Sequence, residues 1–374
     1  MLNVFEPLQK TIEATMFYDK RRVEVVCPVC GGSGHDFEIL DVMRKPIADT
    51  HLCICKKCGF ITYNQQLKDL NKYYTKCPRP QSIEFLNTKA VKVEKHKKMI
   101  GKYLSDKNIK PQNVLDYGSS DGYFLKYLRE AIDTPVKVTG IELNPGHANY
   151  GKYVDNIDIS MDDDLTRFAD GEFDLVSCYH VLEHVQQPNL LLQQFNRIIG
   201  EKGLLYIGLP TLDRLDYPTI EVLFKEDHIN WWTAKSLTQF LNLNGFNVVY
   251  ENKNLYGTAF ICQKAKPISI FQNLYPENIE LLKNIHQFYQ AKSEMEQFMA
   301  QGNVGMAKQA AVRALQQKID APEMIVKYAS LNDPIDEQDI LAGYIKEKPY
   351  IWELYIALGM SYIKDQDLEK AEDI

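Results

Sequence analysis

NVLDYGSSDGYFLKYLRE, residues 113–130, decides the fold. Asn113 to Tyr117 reads as a buried strand, Gly118 to Gly122 as a glycine loop, and Tyr123 onward as an amphipathic helix. Such a loop lets a ligand approach the backbone and lie at the helix N-terminus. Val136 to Glu142 reads as the next strand, with Glu142 at its C-terminal end, about 20 residues beyond the loop, where a carboxylate accepts from ribose hydroxyls.

Three ligand classes compete for this loop. A dinucleotide site wants G-x-G-x-x-G, whereas the spacing here is Gly118-x-x-x-Gly122; a phosphate loop wants Gly-Lys-Ser/Thr, which is missing. S-adenosylmethionine carries a ribose and an amino acid but no phosphate, and Asp116 beside the loop suits its ammonium group. Gly118-Ser119-Ser120-Asp121-Gly122 also matches G-x-S-x-G, the nucleophile elbow that would make Ser120 a nucleophile with His228. That reading is rejected because the loop follows the first strand of its region, with no oxyanion-hole glycine cluster before it.

Working outward, residues 1–20 read as a lead-in, 21–82 as a cysteine-rich module, 83–265 as an alternating α/β domain, and 266–374 as helical. Cys27-Pro-Val-Cys30-Gly31 and Cys55-Lys-Lys-Cys58-Gly59 are paired C-x-x-C-G knuckles. Four thiolates suit a closed, structural zinc site, so Cys27, Cys30, Cys55 and Cys58 are the expected ligands. Cys53, His35 and His51 lie close in sequence and compete; Cys55 is preferred because its pair repeats the first knuckle. Cys77 reads as a lone thiol, and Cys178 and Cys262 as buried strand residues.

In the last region, GNVGMAKQAAVRAL and QDLEKAEDI share a polar turn followed by an alanine, a weak tetratricopeptide-like pattern. Those helices are the candidate surface for a protein partner, and the end at Ile374 reads as cut within a helix.

The 374 residues carry a net charge of -7, which argues against a nucleic-acid partner for the chain as a whole. The lysines between Lys89 and Lys110 read as a solvated helix face. No apolar run approaches the ~20 residues of a membrane span, and MLNVFEPLQK lacks a signal-peptide pattern. A cytoplasmic protein with reduced thiols is expected.

The segments VLDYGSSDGYF, TGIELNP, GEFDLVSCYHVLEHVQQP, GLLYIGLPT and DHINWWTAKSLTQFLNLNGFNVV run in one order. In that order the chain resembles class I S-adenosylmethionine-dependent methyltransferases, departing at Ser120, where those proteins often have glycine. The resemblance implies a Rossmann-like, doubly wound α/β sheet of seven strands whose last strand is antiparallel, closed by a hairpin over 246–253 and 257–265. It places Asp116, Gly118, Ser120 and Gly122 in the cofactor loop, Glu142 on the ribose, Met161 and Asp162 beside the adenine, and Tyr179 and His180 beside the sulfonium.

CPVCGGSG, CKKCGFITYNQ and NKYYTK add a narrower resemblance to sugar methyltransferases of the deoxysugar C-methyltransferase type. Two departures count: the chain ends in helices instead of a second α/β domain, and Lys225-Glu226-Asp227-His228 has no tyrosine before its acid–histidine pair. The implied reaction is methyl transfer to a sugar hydroxyl, on a nucleotide sugar or a glycan.

A hydroxyl acceptor benefits from a base of near-neutral pKa, which is the province of histidine. His228 is the first candidate, with Asp227 or Glu226 orienting it, and His184 the second. Tyr73 and Tyr74 read as packing residues or as a closure over the substrate. Trp231 and Trp232 read as one core and one surface residue. An RNA-base methyltransferase and a non-catalytic adaptor are the competing functions.

Overall fold

The computed structural model describes residues 22–44, 51–67, 74–75, 83–132, 135–155, 157–215, 217–224, 227–253, 257–349 and 351–373. The lead-in, Tyr73, Cys77, Lys225, Glu226 and Ile374 lie outside them. The described residues up to Pro210, with Asp227–Asn273, form one compact unit; Thr211–Glu226 with the residues from Leu274 onward form a second.

Thirteen strands are described. The first unit opens with β1 (Arg22–Glu24), β2 (Phe37–Arg44), β3 (His51–Cys55), β4 (Ile61–Tyr63) and β5 (Gln65–Leu67), before helix α1 (Ile83–Asp106). Then come β6 (Asn113–Tyr117), α2 (Tyr123–Ala131), β7 (Lys137–Ile141), α3 (Pro145–Asp155), β8 (Asp158–Ser160), β9 (Phe173–Tyr179), α4 (Pro188–Ile198) and β10 (Ile199–Leu209). The unit resumes with β11 (Asn230–Trp231), α5 (Ala234–Leu243), β12 (Phe246–Asn252) and β13 (Thr258–Lys264).

Seven strands make one sheet in the order β12-β13-β10-β9-β6-β7-β8. The five strands from β6 to β10 run parallel, and β13 lies antiparallel between β10 and β12. This is the expected sheet with its closing hairpin. The order reverses beside β6, between β7 on one side and β9 on the other, which is where open α/β sheets bind ligands.

Side-chain alternation explains why the sheet is buried on both faces. Leu115, Val176, Leu205 and Ile207 point to one side, where they pack with Leu192 and Phe195 of α4 and Leu237 and Phe240 of α5. Their neighbours Val114, Leu175, Leu204 and Tyr206 point to the other, against Ile100 and Tyr103 of α1 and Phe124 and Leu128 of α2.

The cysteine module is joined to this core. Cys27, Cys55, Cys58 and Phe60 belong to the α4–α5 side of it. Strands β2, β3 and β4 form a second sheet, whose order β11-β4-β3-β2 is completed by a strand from the far side of the chain. Asn230 pairs with Thr62 and Trp231 with Ile61, while the Thr62 hydroxyl donates to Ile229 O at 2.8 Å across 167 residues. Trp231 meets Tyr63 edge-on at 4.7 Å, and Trp232 meets Phe60 at 5.0 Å and stacks on Phe240. Both tryptophans are buried, which corrects the expectation of one at the surface; each has an aromatic partner in the cysteine module.

The second unit is helical: α6 (Ile220–Leu223), then α7 (Tyr275–Ala300), α8 (Val304–Leu315), α9 (Pro322–Ser330), α10 (Pro334–Glu347), α11 (Trp352–Lys364) and α12 (Leu368–Glu372). Ala307, Ala310, Ala311 and Ala314 give α8 a fully buried face of small residues. The 211–224 segment is fastened to these helices. Arg214 pairs with Glu353 at 2.6 Å, Tyr289 donates to Tyr217 O, and the Lys292 ammonium donates to Pro218 O at 2.7 Å. No helix among the described residues is long and apolar enough to cross a membrane.

Candidate active site

The loop after β6 is shaped by two positive-φ glycines. At Gly118, φ is +80°, and a Cβ there would fall 2.2 Å from Val181 Cγ2, so only glycine fits. The amides of Gly118 and Ser119 both donate to Ile141 O, tying the loop to the end of β7. Gly122, at φ +75°, starts α2 without a side-chain cap.

Glu142 braces the same loop. One carboxylate oxygen accepts from Ser120 N at 2.8 Å and the other from Asn144 N at 2.7 Å. Ser120 sits at φ +52°, with its hydroxyl 2.9 Å from His147 Nδ1. Asn144 accepts from Gly146 N and His147 N at the start of α3, and its amide donates to Tyr74 O at 3.0 Å. Asp116 is buried at the end of β6 and accepts from the Ser177 hydroxyl at 2.6 Å. Met161, half exposed, and Asp162 follow β8. Two loop positions without room for a side chain and a carboxylate at the neighbouring strand end fit a ribose and an amino acid group.

Tyr179 ends β9, stacked on Phe124 and edge-on to His96. Burial pushes the His96 imidazole down to about 3, so it is neutral, and its Nδ1 bonds the Tyr206 hydroxyl. His180 follows at φ +53°, its amide donating to Gly208 O at 2.7 Å.

The turn after β9 brings the candidate histidines together around a residue to which sequence reasoning gave no role. Glu183 is 1% exposed, and neither carboxylate oxygen meets a hydrogen bond of ordinary geometry. Three ring nitrogens face Oε1: His180 Nδ1 at 3.3 Å, His184 Nε2 at 3.8 Å and His228 Nε2 at 4.0 Å. Although burial works against ionisation, the neighbouring histidines hold the Glu183 carboxyl below its ordinary range. The signal was present in His180-x-x-Glu183-His184, an acid flanked by two histidines within one turn.

Asp227, expected with Glu226 as an orienting residue for His228, reaches His184. The Asp227 carbonyl lies 2.7 Å from His184 Nδ1 and its carboxylate 3.9 Å away. The Tyr74 hydroxyl lies 2.7 Å from the same nitrogen. His228 is buried, its ring edge-on to His184 at 4.7 Å. Strand β11 fixes this arrangement: Ile229 N donates to Glu183 O, and the Asn230 amide donates to Leu182 O and Val185 O.

Away from this centre, the thiols of Cys27, Cys30, Cys55 and Cys58 converge within 4.8 Å of one another. Cys27 to Cys58 and Cys30 to Cys55 are each 3.5 Å, far beyond a disulfide and close to the ~3.8 Å between two sulfurs on one tetrahedral zinc. Cys53 stands outside the four, its thiol pushed up to about 12 by burial.

Residues 93–251 match a family model described as a methyltransferase domain. This stretch is a methyltransferase domain. Among solved structures, the chain is similar to the plantazolicin methyltransferase BpumL in complex with SAH, with 14% identity over 47% of this chain and 84% of that one, at a TM-score of 0.39. A SAM-dependent methyltransferase from Aquifex aeolicus gives 18% identity over 44% and 87%, at 0.36. The assignment rests on the family match. In this stretch the Gly118–Gly122 loop and Glu142 meet at the ends of β6 and β7, and the Glu183 cluster lies beyond β9.

Proposed function

We propose that the chain transfers a methyl group from S-adenosylmethionine to a sugar hydroxyl, carried on a nucleotide sugar or a glycan. The observation that carries this reading is the convergence of His180, His184 and His228 on Glu183, with the Tyr74 hydroxyl on His184. A thioether or ring-nitrogen acceptor needs no proton removed before attack, whereas a hydroxyl does. A cluster of imidazoles at the end of a central strand suits the hydroxyl. The cysteine module and Tyr74 support a sugar through their likeness to sugar methyltransferases.

When bound, the cofactor supplies an electrophilic methyl on a sulfonium. The chain's residues do the rest. Glu142 takes the ribose hydroxyls, Asp116 the ammonium, and Gly118 leaves the backbone bare. Met161 and Asp162 flank the adenine, and Tyr179 and His180 border the methyl. His184 and His228 activate the acceptor hydroxyl, with Asp227 and Tyr74 fixing the His184 ring. Alignment of hydroxyl, methyl and sulfur supplies much of the rate.

Cys27, Cys30, Cys55 and Cys58 are proposed to hold a structural zinc ion, since four converging thiols in a closed site suit that ion and leave no position open for catalysis.

The test is incubation with methyl-labelled cofactor and separate panels of nucleotide sugars, glycans and RNA. Label in a sugar fraction, stable to base as an ether is, supports the reading. Label in RNA alone overturns it.

A further inference from the structure

We infer that Glu183, His184 and His228 form a second metal site, distinct from the four cysteines, which holds one divalent first-row cation beside the reacting methyl. All three offer a ligand atom within 4.8 Å of the others.

The neighbours of His184 set which of its ring nitrogens can ligate. Its Nδ1 lies 2.7 Å from the Asp227 carbonyl, which can only accept, so Nδ1 carries the proton. That leaves Nε2 as the His184 nitrogen turned toward Glu183 Oε1. A ring nitrogen and a carboxylate oxygen, both ligand atoms, face each other in a buried place. A proton shared directly would draw nitrogen and oxygen to about 2.7–2.9 Å, yet the separations are 3.8 Å for His184 and 4.0 Å for His228. Ligands of one cation, each about 2.1 Å from it, can be up to about 4.2 Å apart, and a contraction of about 0.5 Å gives tetrahedral spacing.

The surroundings agree. Glu183 is an almost fully buried carboxylate with no ordinary hydrogen bond, a costly state unless a cation compensates it. The Asp227 carbonyl and the Tyr74 hydroxyl at His184 Nδ1 are the outer partners that orient a ligating imidazole. Asn230 and Ile229 clamp the turn bearing two ligands to the loop bearing the third. His180, 3.3 Å from Oε1, lies at the edge of the site. Mixed imidazole and carboxylate donors suit manganese, cobalt or zinc.

The role of the cation rests on the proposed reading of a hydroxyl acceptor. A metal-bound hydroxyl gives up its proton more readily. His184 and His228 thus activate the hydroxyl through the cation they hold and do not take its proton, which passes to water as the oxygen attacks; the O–C bond forms, the C–S bond breaks, and sulfur keeps the electron pair. Cofactor cation and alcohol thus give ether, neutral thioether product and one proton.

The test needs no acceptor. The full chain, with its cysteine site filled, is titrated with Mn2+ by equilibrium dialysis and electron paramagnetic resonance. One saturable Mn2+ per chain is expected, and Glu183→Gln should weaken it by at least about 100-fold while calorimetry shows S-adenosylmethionine still bound. If Glu183→Gln fails to fold, His184→Gln and His228→Gln carry the same expectation. No saturable Mn2+ or Co2+ uptake by the wild type overturns the site, and so does uptake that these variants leave unchanged. Metal uptake without label in any sugar leaves the site standing and removes the sugar reading.

Discussion

The hydroxyl of Tyr74 lies 2.7 Å from Nδ1 of His184, a residue 110 positions further along the chain. The same tyrosine has its backbone carbonyl held by Asn144, two residues after Glu142, the proposed ribose ligand. One residue of the N-terminal region therefore touches both the cofactor side and the histidine side of the site.

Tyr74→Phe keeps the ring and removes only the hydroxyl. Loss of one hydrogen bond is worth about 0.5–1.5 kcal/mol, so turnover should fall by about 2- to 10-fold with cofactor affinity unchanged. Steady-state kinetics beside calorimetry checks this. A variant that lost cofactor affinity at full turnover would move Tyr74 to the cofactor.

Glu142→Ala should weaken S-adenosylmethionine binding by roughly 1.5–3 kcal/mol, the scale of a charge-assisted hydrogen bond. Because Glu142 also accepts from the amides of Ser120 and Asn144, the variant should melt earlier as well. Unchanged affinity by calorimetry would take Glu142 out of the cradle.

Cys55→Ser should reduce the metal content by one zinc per chain and destabilise the protein by more than about 3 kcal/mol. Cys53→Ser should keep the metal, because Cys53 is a neutral thiol outside the group of four. Elemental analysis separates the two. Tryptophan fluorescence should change in the first variant only, since Trp231 and Trp232 pack against aromatic rings of that module.

His96 makes stability depend on acid. Its folded pKa, about 3, lies below the ordinary value of 6.5, so the unfolded chain takes up the proton first. The contribution is whole above pH 6.5 and is lost as pH falls toward 3, by at most about 1.4 kcal/mol per unit. Melting curves of His96→Gln between pH 7.5 and 5 should slope less steeply than those of the parent. Equal slopes would count against a neutral His96.

The sheet and the cofactor loop were legible because their signals are local. A strand, a glycine loop, a helix and an acid about 20 residues later all fall within one short stretch, from Asn113 to Glu142. The closing hairpin over 246–265 came from the family resemblance, and β12 and β13 pair as it implied. What escaped was set by contacts distant in sequence. The contact of Asp227 with His184, 43 residues back, is one of these. Glu183 looked like an ordinary turn residue because its burial comes from loops that meet only in three dimensions. Strand β11 is two residues long, too short for any periodicity, so neither its pairing with β4 nor the burial of both tryptophans could be read beforehand.

That short strand bears on how the chain is made. Synthesis delivers β2, β3 and β4 long before Asn230, so the nascent module carries β4 as an unpaired edge, open to any other strand nearby. Closing it means bringing together segments 167 residues apart, a loop whose entropy is repaid only after the contact forms. A fragment ending at residue 82 would keep that edge for good, and would be expected to self-associate through it.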